Sequence, residues 1–238
     1  MTYEKNFAEL AYSRPELFED YIREFLSYEM ICKHSCEFIR REDNTLWFKR
    51  EPSSLYWSRQ IEWPWAIYHA ELNSKGHALD IGSGWSVLKY GIASRYEKVI
   101  CLDNNRESLS KANETTIRLG FNNIRQVLGD VRNLPFPNDS FDCVFCISVL
   151  EHIKENHINC LHEIHRVLKL GGVALLSIDV VLKGFQSEEY YLHYEHIPNL
   201  LKTWDITEIC VHPKYRIGRG KDGMETVVLL IHYRKQFV

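Results

Sequence analysis

His77-Ala78-Leu79-Asp80-Ile81-Gly82-Ser83-Gly84-Trp85-Ser86 holds the key to the fold. A short apolar run reads as a strand, Gly82-Ser83-Gly84 as a turn, and the residues from Ser86 to Ser94 as a helix. That order puts a glycine loop at the carboxyl edge of a parallel sheet, where open α/β sheets bind ligands. Glycine there lets backbone come close to a ligand. The nicotinamide fingerprint G-x-G-x-x-G is not met: counting from Gly82 and Gly84, its third glycine position holds Val87, and an acid already stands two places before Gly82.

Outward from this stretch the pattern repeats. Strands are expected at 77–81, 98–103, 124–128, 141–147 and 173–180, with helices at 86–94, 107–119 and 155–168 between them, the signature of βαβ units. Gly120 is expected to stop the second helix, and Gly171-Gly172 the third. In the third, Ile158, Leu161, His165 and Leu168 form the stripe expected to face the sheet. Two more strands, near 206–211 and 226–231, flank a turn-rich stretch and should pair as a hairpin at one sheet edge. The second strand ends at Asp103, 23 residues after Asp80, the spacing at which one helix returns the chain to the same edge. The third ends in Gly129-Asp130. Acids at three successive strand ends form a constellation suited to ribose hydroxyls and an adenine amine, although each alone reads as readily as a cap or loop residue.

The 238 residues, 45% hydrophobic and 26% charged, describe a folded chain, and the formal charge of −3 gives no overall positive field for nucleic acid or an anionic membrane. The first residues, MTYEKNFAEL, lack the unbroken apolar core of a secretory signal, and no stretch reaches the roughly 18 apolar residues of a membrane span. Seven scattered cysteines fit reduced thiols, so a cytoplasmic protein is expected. Residues 1–72 read as a helical cap or lid ahead of a domain at 73–238. Ser13-Arg14-Pro15-Glu16 has the form of a capping box opening an amphipathic helix, and an aromatic segment follows through Trp63-Pro64-Trp65. These rings either pack the cap onto the core or line a pocket.

At these residues the chain resembles the class I S-adenosylmethionine-dependent methyltransferases, in particular the small-molecule branch that includes the ubiquinone-biosynthesis type. ALDIGSG is similar to that family's first motif, VICLDNN to its second, LGDVRNLPFPNDSFDCVFCISVLEHI to its third and fourth, and RVLKLGGVALLSI to the segment after them. The resemblance covers about Ala78 to Ile178. It implies a Rossmann-like, doubly wound seven-stranded sheet whose last strand is antiparallel. It also implies S-adenosylmethionine as cofactor, with Asp80, Gly82, Ser83 and Gly84 near its methionine moiety, Asp103 with Asn104 at the ribose, and Asp130 with Val131 near the adenine. Ser148 would face cofactor or substrate. The family's frequent third glycine falls on Ser86, and Trp85 is bulky for such a loop.

Methyl transfer is an in-line displacement that needs alignment and exclusion of water more than a conspicuous catalytic group. For a hydroxyl acceptor a base would help. His152, just past the fourth strand, is the first candidate, and a backbone-bonded helix-start histidine explains it equally well. His196 and Tyr191, between the fifth and sixth strands, are candidates for the pocket, against a solvated surface helix. Tyr56, Arg59, Trp63 and Trp65 are candidates to line the acceptor side. No metal is expected: Cys32-x-His34-x-Cys36 lacks a second pair, and Cys143 and Cys146 should point to opposite faces of a strand. The proline-aromatic motif of nucleic-acid amino methyltransferases is absent at Ile147-Ser148-Val149-Leu150, so a small organic acceptor is expected and nucleic acid is not. The expected function is methyl transfer to oxygen or nitrogen of that acceptor. The alternative is a non-catalytic scaffold of the same fold.

Overall fold

The computed structural model describes residues 62–63, 65–70, 76–84, 86–183, 197–202, 204, 210–211 and 225–236. The strands are β1 (His77–Ile81), β2 (Lys98–Asp103), β3 (Ile124–Leu128), β4 (Phe141–Ile147), β5 (Leu168–Lys183), β6 (Cys210–Val211) and β7 (Glu225–Arg234). The helices are α1 (Leu88–Ala93), α2 (Arg106–Arg118), α3 (His157–Val167) and α4 (Ile197–Lys202), with a 3-10 turn at Leu150–His152. Residues 62–63 and 65–69 are also helical.

The strands form a mostly parallel mixed sheet in the order β3-β2-β1-β4-β5-β7-β6. β1 to β5 run parallel and β7 is antiparallel to β5. The two residues of β6 pair antiparallel with Leu229 and Leu230 on the outer side of β7, as the expected hairpin requires. Alternate residues of the central strands feed two cores. Leu79, Val144, Cys146 and Leu176 face one side with Leu161 and Ile164 of α3, whereas Ala78, Cys143, Phe145 and Leu175 face the other with Leu88 and Ile92 of α1 and with Trp63 and Trp65. Cys143 and Cys146 thus lie on opposite faces, as a period of two dictates.

Local sequence explains the helix starts. The Ser86 hydroxyl accepts from the Leu88 N–H at 3.1 Å before α1, and the Asn105 side chain caps α2 through the Ser108 N–H at 2.9 Å. α2 ends at Arg118, followed by Leu119 and then Gly120 with positive φ.

Two expectations about α3 need correction. It ends at Val167, before Gly171-Gly172, because Leu168 is already extended and pairs with Phe141 at the start of β5. Gly171, with φ +76°, instead serves an irregularity inside β5, where the register with β4 shifts between Phe141 and Cys143. The buried face of α3 is Cys160, Leu161, Ile164 and Val167; Ile158 is exposed and His165 only partly covered. The helix starts at His157, and its apolar residues at three- and four-residue steps run through Ile164 rather than His165. β5 is also longer than expected at both ends. The capping box at Ser13 and the pair Cys32 and Cys36 lie outside the described residues.

Candidate active site

The carboxyl ends of β1 to β4 surround a cavity of about 330 Å³, lined among others by Gly82, Asp103, Asn104, Asp130, Ser148 and His152. It lies where the strand order turns back between β1 and β4, the crevice in which open α/β sheets take their ligands.

Gly82 opens this crevice. Its φ is +65°, and a Cβ there would run into the Val149 side chain, so both backbone angle and space require glycine. The bend is fastened to β2 by the Gly82 and Ser83 N–H groups, which both donate to the Leu102 carbonyl, at 2.8 and 3.1 Å. Asp103 fastens it further: its Oδ2 accepts from the Gly84 N–H at 2.9 Å and its Oδ1 from the Asn105 N–H at 2.8 Å. These charge-assisted bonds fix the carboxylate and leave lone pairs on each oxygen for a diol.

Asp80, Ser83 and Gly84 stand behind the lining. Asp80 is buried, and burial pushes its carboxyl up to about 7, against the pull of Lys89 and with a further push from Asp103. Its Oδ2 has no hydrogen-bond partner among the described residues. Lys89, also buried, donates to the Gly84 carbonyl at 2.7 Å. A buried acid with an unpartnered oxygen, beneath a glycine bend beside a cavity, suits a ligand that brings positive charge.

Asp130 is engaged by its neighbour. Arg132 grips both carboxylate oxygens, with a closest contact of 2.6 Å, and these bonds hold the Asp130 carboxyl below its ordinary range. An adenine amine would share this carboxylate with Arg132. Val131 is buried beside it and also lines the cavity. The loop that follows is pinned to α3, where Glu163 accepts from the Leu134 N–H at 2.6 Å and Arg166 donates to the Leu134 and Phe136 carbonyls.

Ser148, the residue after β4, has φ +50°, a left-handed conformation in a residue with a side chain. Its hydroxyl donates to Glu62 Oε1 at 2.6 Å. His152 ends the 3-10 turn on the cavity wall, exposed, with its N–H donating to the Val149 carbonyl.

The cavity therefore gathers Gly82, Asp103, Asn104, Asp130, Val131, Ser148 and His152 in one place. Trp63 is elsewhere: it is buried in the apolar core with Trp65 and is not among the cavity-lining residues. Tyr56, Arg59, Tyr191 and His196 lie outside the described residues. Among the described residues no group of three or more His, Cys, Asp or Glu is placed to hold a metal ion. Sequence reasoning missed Lys89, Arg132, Lys154 and Glu62. Lys89 left a trace, as the one cation in the otherwise uncharged run Leu88-Lys89-Tyr90-Gly91-Ile92-Ala93, and Arg132 follows Asp130 at a turn's spacing. Lys154 in the lining and Glu62 left none.

A family model described as "Methyltransferase domain" matches residues 79–176. That segment is similar to a methyltransferase domain. The matched segment runs from Leu79 in β1 through β2, β3 and β4 and includes every residue that lines the cavity. Across 150 residues the chain is 31% identical to rice (Oryza sativa subsp. japonica) 2-methyl-6-phytyl-1,4-hydroquinone methyltransferase 1, covering 58% of this chain and 44% of that protein. The chain thus spans less than half the length of that relative. Among solved structures the methyltransferase fold recurs in the cyclase SpnF, with a TM-score of 0.68 and 14% identity over 88% of this chain and 91% of that one. It recurs in Haemonchus contortus phosphoethanolamine N-methyltransferase 2 in complex with S-adenosyl-L-methionine, with a TM-score of 0.59 and 19% identity over 71% of this chain and 51% of that one. At these identities the structural likeness speaks for the fold of the domain.

Proposed function

We propose that this protein transfers the methyl group of S-adenosylmethionine to an oxygen or nitrogen atom of a small organic acceptor. The observation that carries the reading is the single crevice in which the glycine bend of β1 and the carboxylates at the ends of β2 and β3 meet. The domain match and the rice relative, named for methylating a hydroquinone, support it. When bound, the cofactor supplies an electrophilic methyl carbon on a positively charged sulfur. Asp103 and Asn104 hold the ribose, Asp130 and Val131 the adenine, and Gly82, Ser83, Gly84 and the Asp80 carboxylate the methionine end. His152, on the cavity wall, serves as a base when the acceptor is a hydroxyl.

The wider reading comprises the full seven-strand sheet of the family, a domain at 73–238 and a cap at 1–72 that covers the acceptor and excludes water. Within that cover Tyr56, Arg59 and Tyr191 contact the acceptor, and His196 joins His152 as a second base. Four described cysteines are free and buried, in keeping with a reducing cytoplasm. No described helix is long and apolar enough to cross a membrane. A formal charge of −3 fits a small acceptor better than nucleic acid.

Titration calorimetry tests the cofactor assignment. S-adenosylmethionine and S-adenosylhomocysteine should bind with 1:1 stoichiometry and NADH should not. Binding of NADH without S-adenosylmethionine would overturn the reading in favour of a dinucleotide enzyme.

A further inference from the structure

Lys89 is a buried charge to which the methyl-transfer reading gives no task. It is 1% exposed, in an α1 whose other residues are uncharged. Lysine is almost never fully buried unless it is paired, yet among the described residues Lys89 makes no ion pair. Its one hydrogen bond among them runs from Nζ to the Gly84 carbonyl at 2.7 Å. The N–H of the same glycine donates to Asp103 Oδ2 at 2.9 Å, and Asp103 lines the cavity. A single residue of the bend therefore stands between the Lys89 ammonium and a carboxylate of the crevice.

A neutral donor would hold the Gly84 carbonyl without the desolvation cost of an ammonium, so the tether alone does not account for a lysine. Its charge also goes largely unanswered. Asp80 on β1 faces it, but burial pushes that carboxyl up to about 7, so near neutral pH Asp80 is ionised only in part. Asp103 on β2 is committed to the Gly84 and Asn105 N–H groups. The Cys101 thiol on β2 is pushed up to about 12 and the Cys146 thiol on β4 well above its ordinary value, both chiefly by burial, so neither carries charge. In an interior poor in water a charge acts over a longer distance than at the surface. The field of Lys89 thus extends to the glycine bend, where the methionine end of the cofactor belongs.

Resting on the methyl-transfer reading, we propose that Lys89 is a specificity-determining residue whose buried charge opposes the sulfonium of S-adenosylmethionine and tilts the site toward the neutral-sulfur product, S-adenosylhomocysteine. The two ligands share the adenosyl group, the ammonium and the carboxylate, and differ in the methyl group and the charge on sulfur. Transfer breaks the sulfur–methyl bond and leaves its electron pair on sulfur, while the methyl carbon bonds to the acceptor atom. The positive charge that Lys89 opposes is gone once the methyl has moved. A cation at this place raises the bound cofactor relative to the bound product, and so favours transfer in the forward direction and makes the site responsive to accumulated product.

Titration calorimetry on the full chain at pH 7, with each ligand in turn, reads the ratio of the two affinities. Damage to the glycine bend weakens both ligands and cancels from that ratio, whereas a change of charge does not. Lys89→Met keeps the length and removes charge and donor; Lys89→Gln removes the charge and keeps a donor for the Gly84 carbonyl. Each should shift the ratio toward S-adenosylmethionine by about threefold or more. Asp80 holds its proton more firmly once Lys89 is gone, which offsets only part of that shift. Lys89→Arg, which keeps the charge, should stay within about twofold of wild type. A smaller shift in either uncharged variant, a shift toward the product, or a Lys89→Arg ratio moved as far as that of Lys89→Gln overturns the proposal. Failure of wild type to bind either ligand overturns the methyl-transfer reading on which it rests.

Discussion

Asp103 shows how one side chain can serve both fold and ligand. Its carboxylate ties down the Gly84 and Asn105 N–H groups, so the oxygens that would meet a ribose are held in place before any ligand arrives. Asp103→Ala should weaken S-adenosylhomocysteine binding by about 1–3 kcal/mol, the range for stranded polar partners, and calorimetry reads this directly; an unchanged affinity would move the ribose elsewhere. Asp80 makes a different prediction. Its carboxyl is raised to about 7, chiefly by burial, so the folded protein holds a proton there that the unfolded chain releases near pH 4. Stability from this group therefore declines as pH rises from about 4 through 7, because in that window the native state binds more protons than the unfolded one. A cationic ligand is favoured by the ionised form, so S-adenosylmethionine affinity should rise as pH passes upward through about 7 in wild type and should lose that rise in Asp80→Asn. The sequence made Asp80, Asp103 and Asp130 visible because Asp80 and Asp103 fall in the last two residues of apolar strands and Asp130 two residues past one. It could not show that Arg132 grips Asp130, that Lys89 is buried under the glycine bend, or that Trp63 turns into the core, since these depend on side-chain direction.

Elements were legible where hydrophobic periodicity and turn residues agreed. β1, β2, β3 and β4 fall where alternation and the following polar residues place them. The end of α3 was misplaced because Gly171 carries the positive φ of a helix stop in a strand irregularity instead. Both uses of glycine look alike in sequence, and only pairing of Leu168 with Phe141 separates them. The buried face of α3 has a consequence for the site, because Arg166 and Glu163 on the same helix hold the loop that follows Asp130. Ile164, fully buried at the centre of that face, should cost about 2–5 kcal/mol when cut to alanine, read as a lowered denaturant midpoint. A loss within 0.5 kcal/mol, the level of a surface substitution, would mean that α3 is not packed as described.

At the scale of the molecule, the βαβ order fixes which strand ends share an edge, and this much follows from the sequence. What did not follow is the link from Glu62 to Ser148 and Ser177, 86 and 115 residues away along the chain. No local pattern marks an acid beside Trp63 as a partner of two serines on the sheet. The turn of strand order between β1 and β4 creates the crevice, and the glycine bend and two carboxylates give it a polarity suited to an adenosyl group. A crystal structure of the complex with S-adenosylhomocysteine tests this most directly. The ribose hydroxyls should lie within hydrogen-bond distance of Asp103 and the adenine beside Asp130 and Val131; density for the ligand away from the β1–β4 crevice, or a ribose with no contact to Asp103, would contradict it.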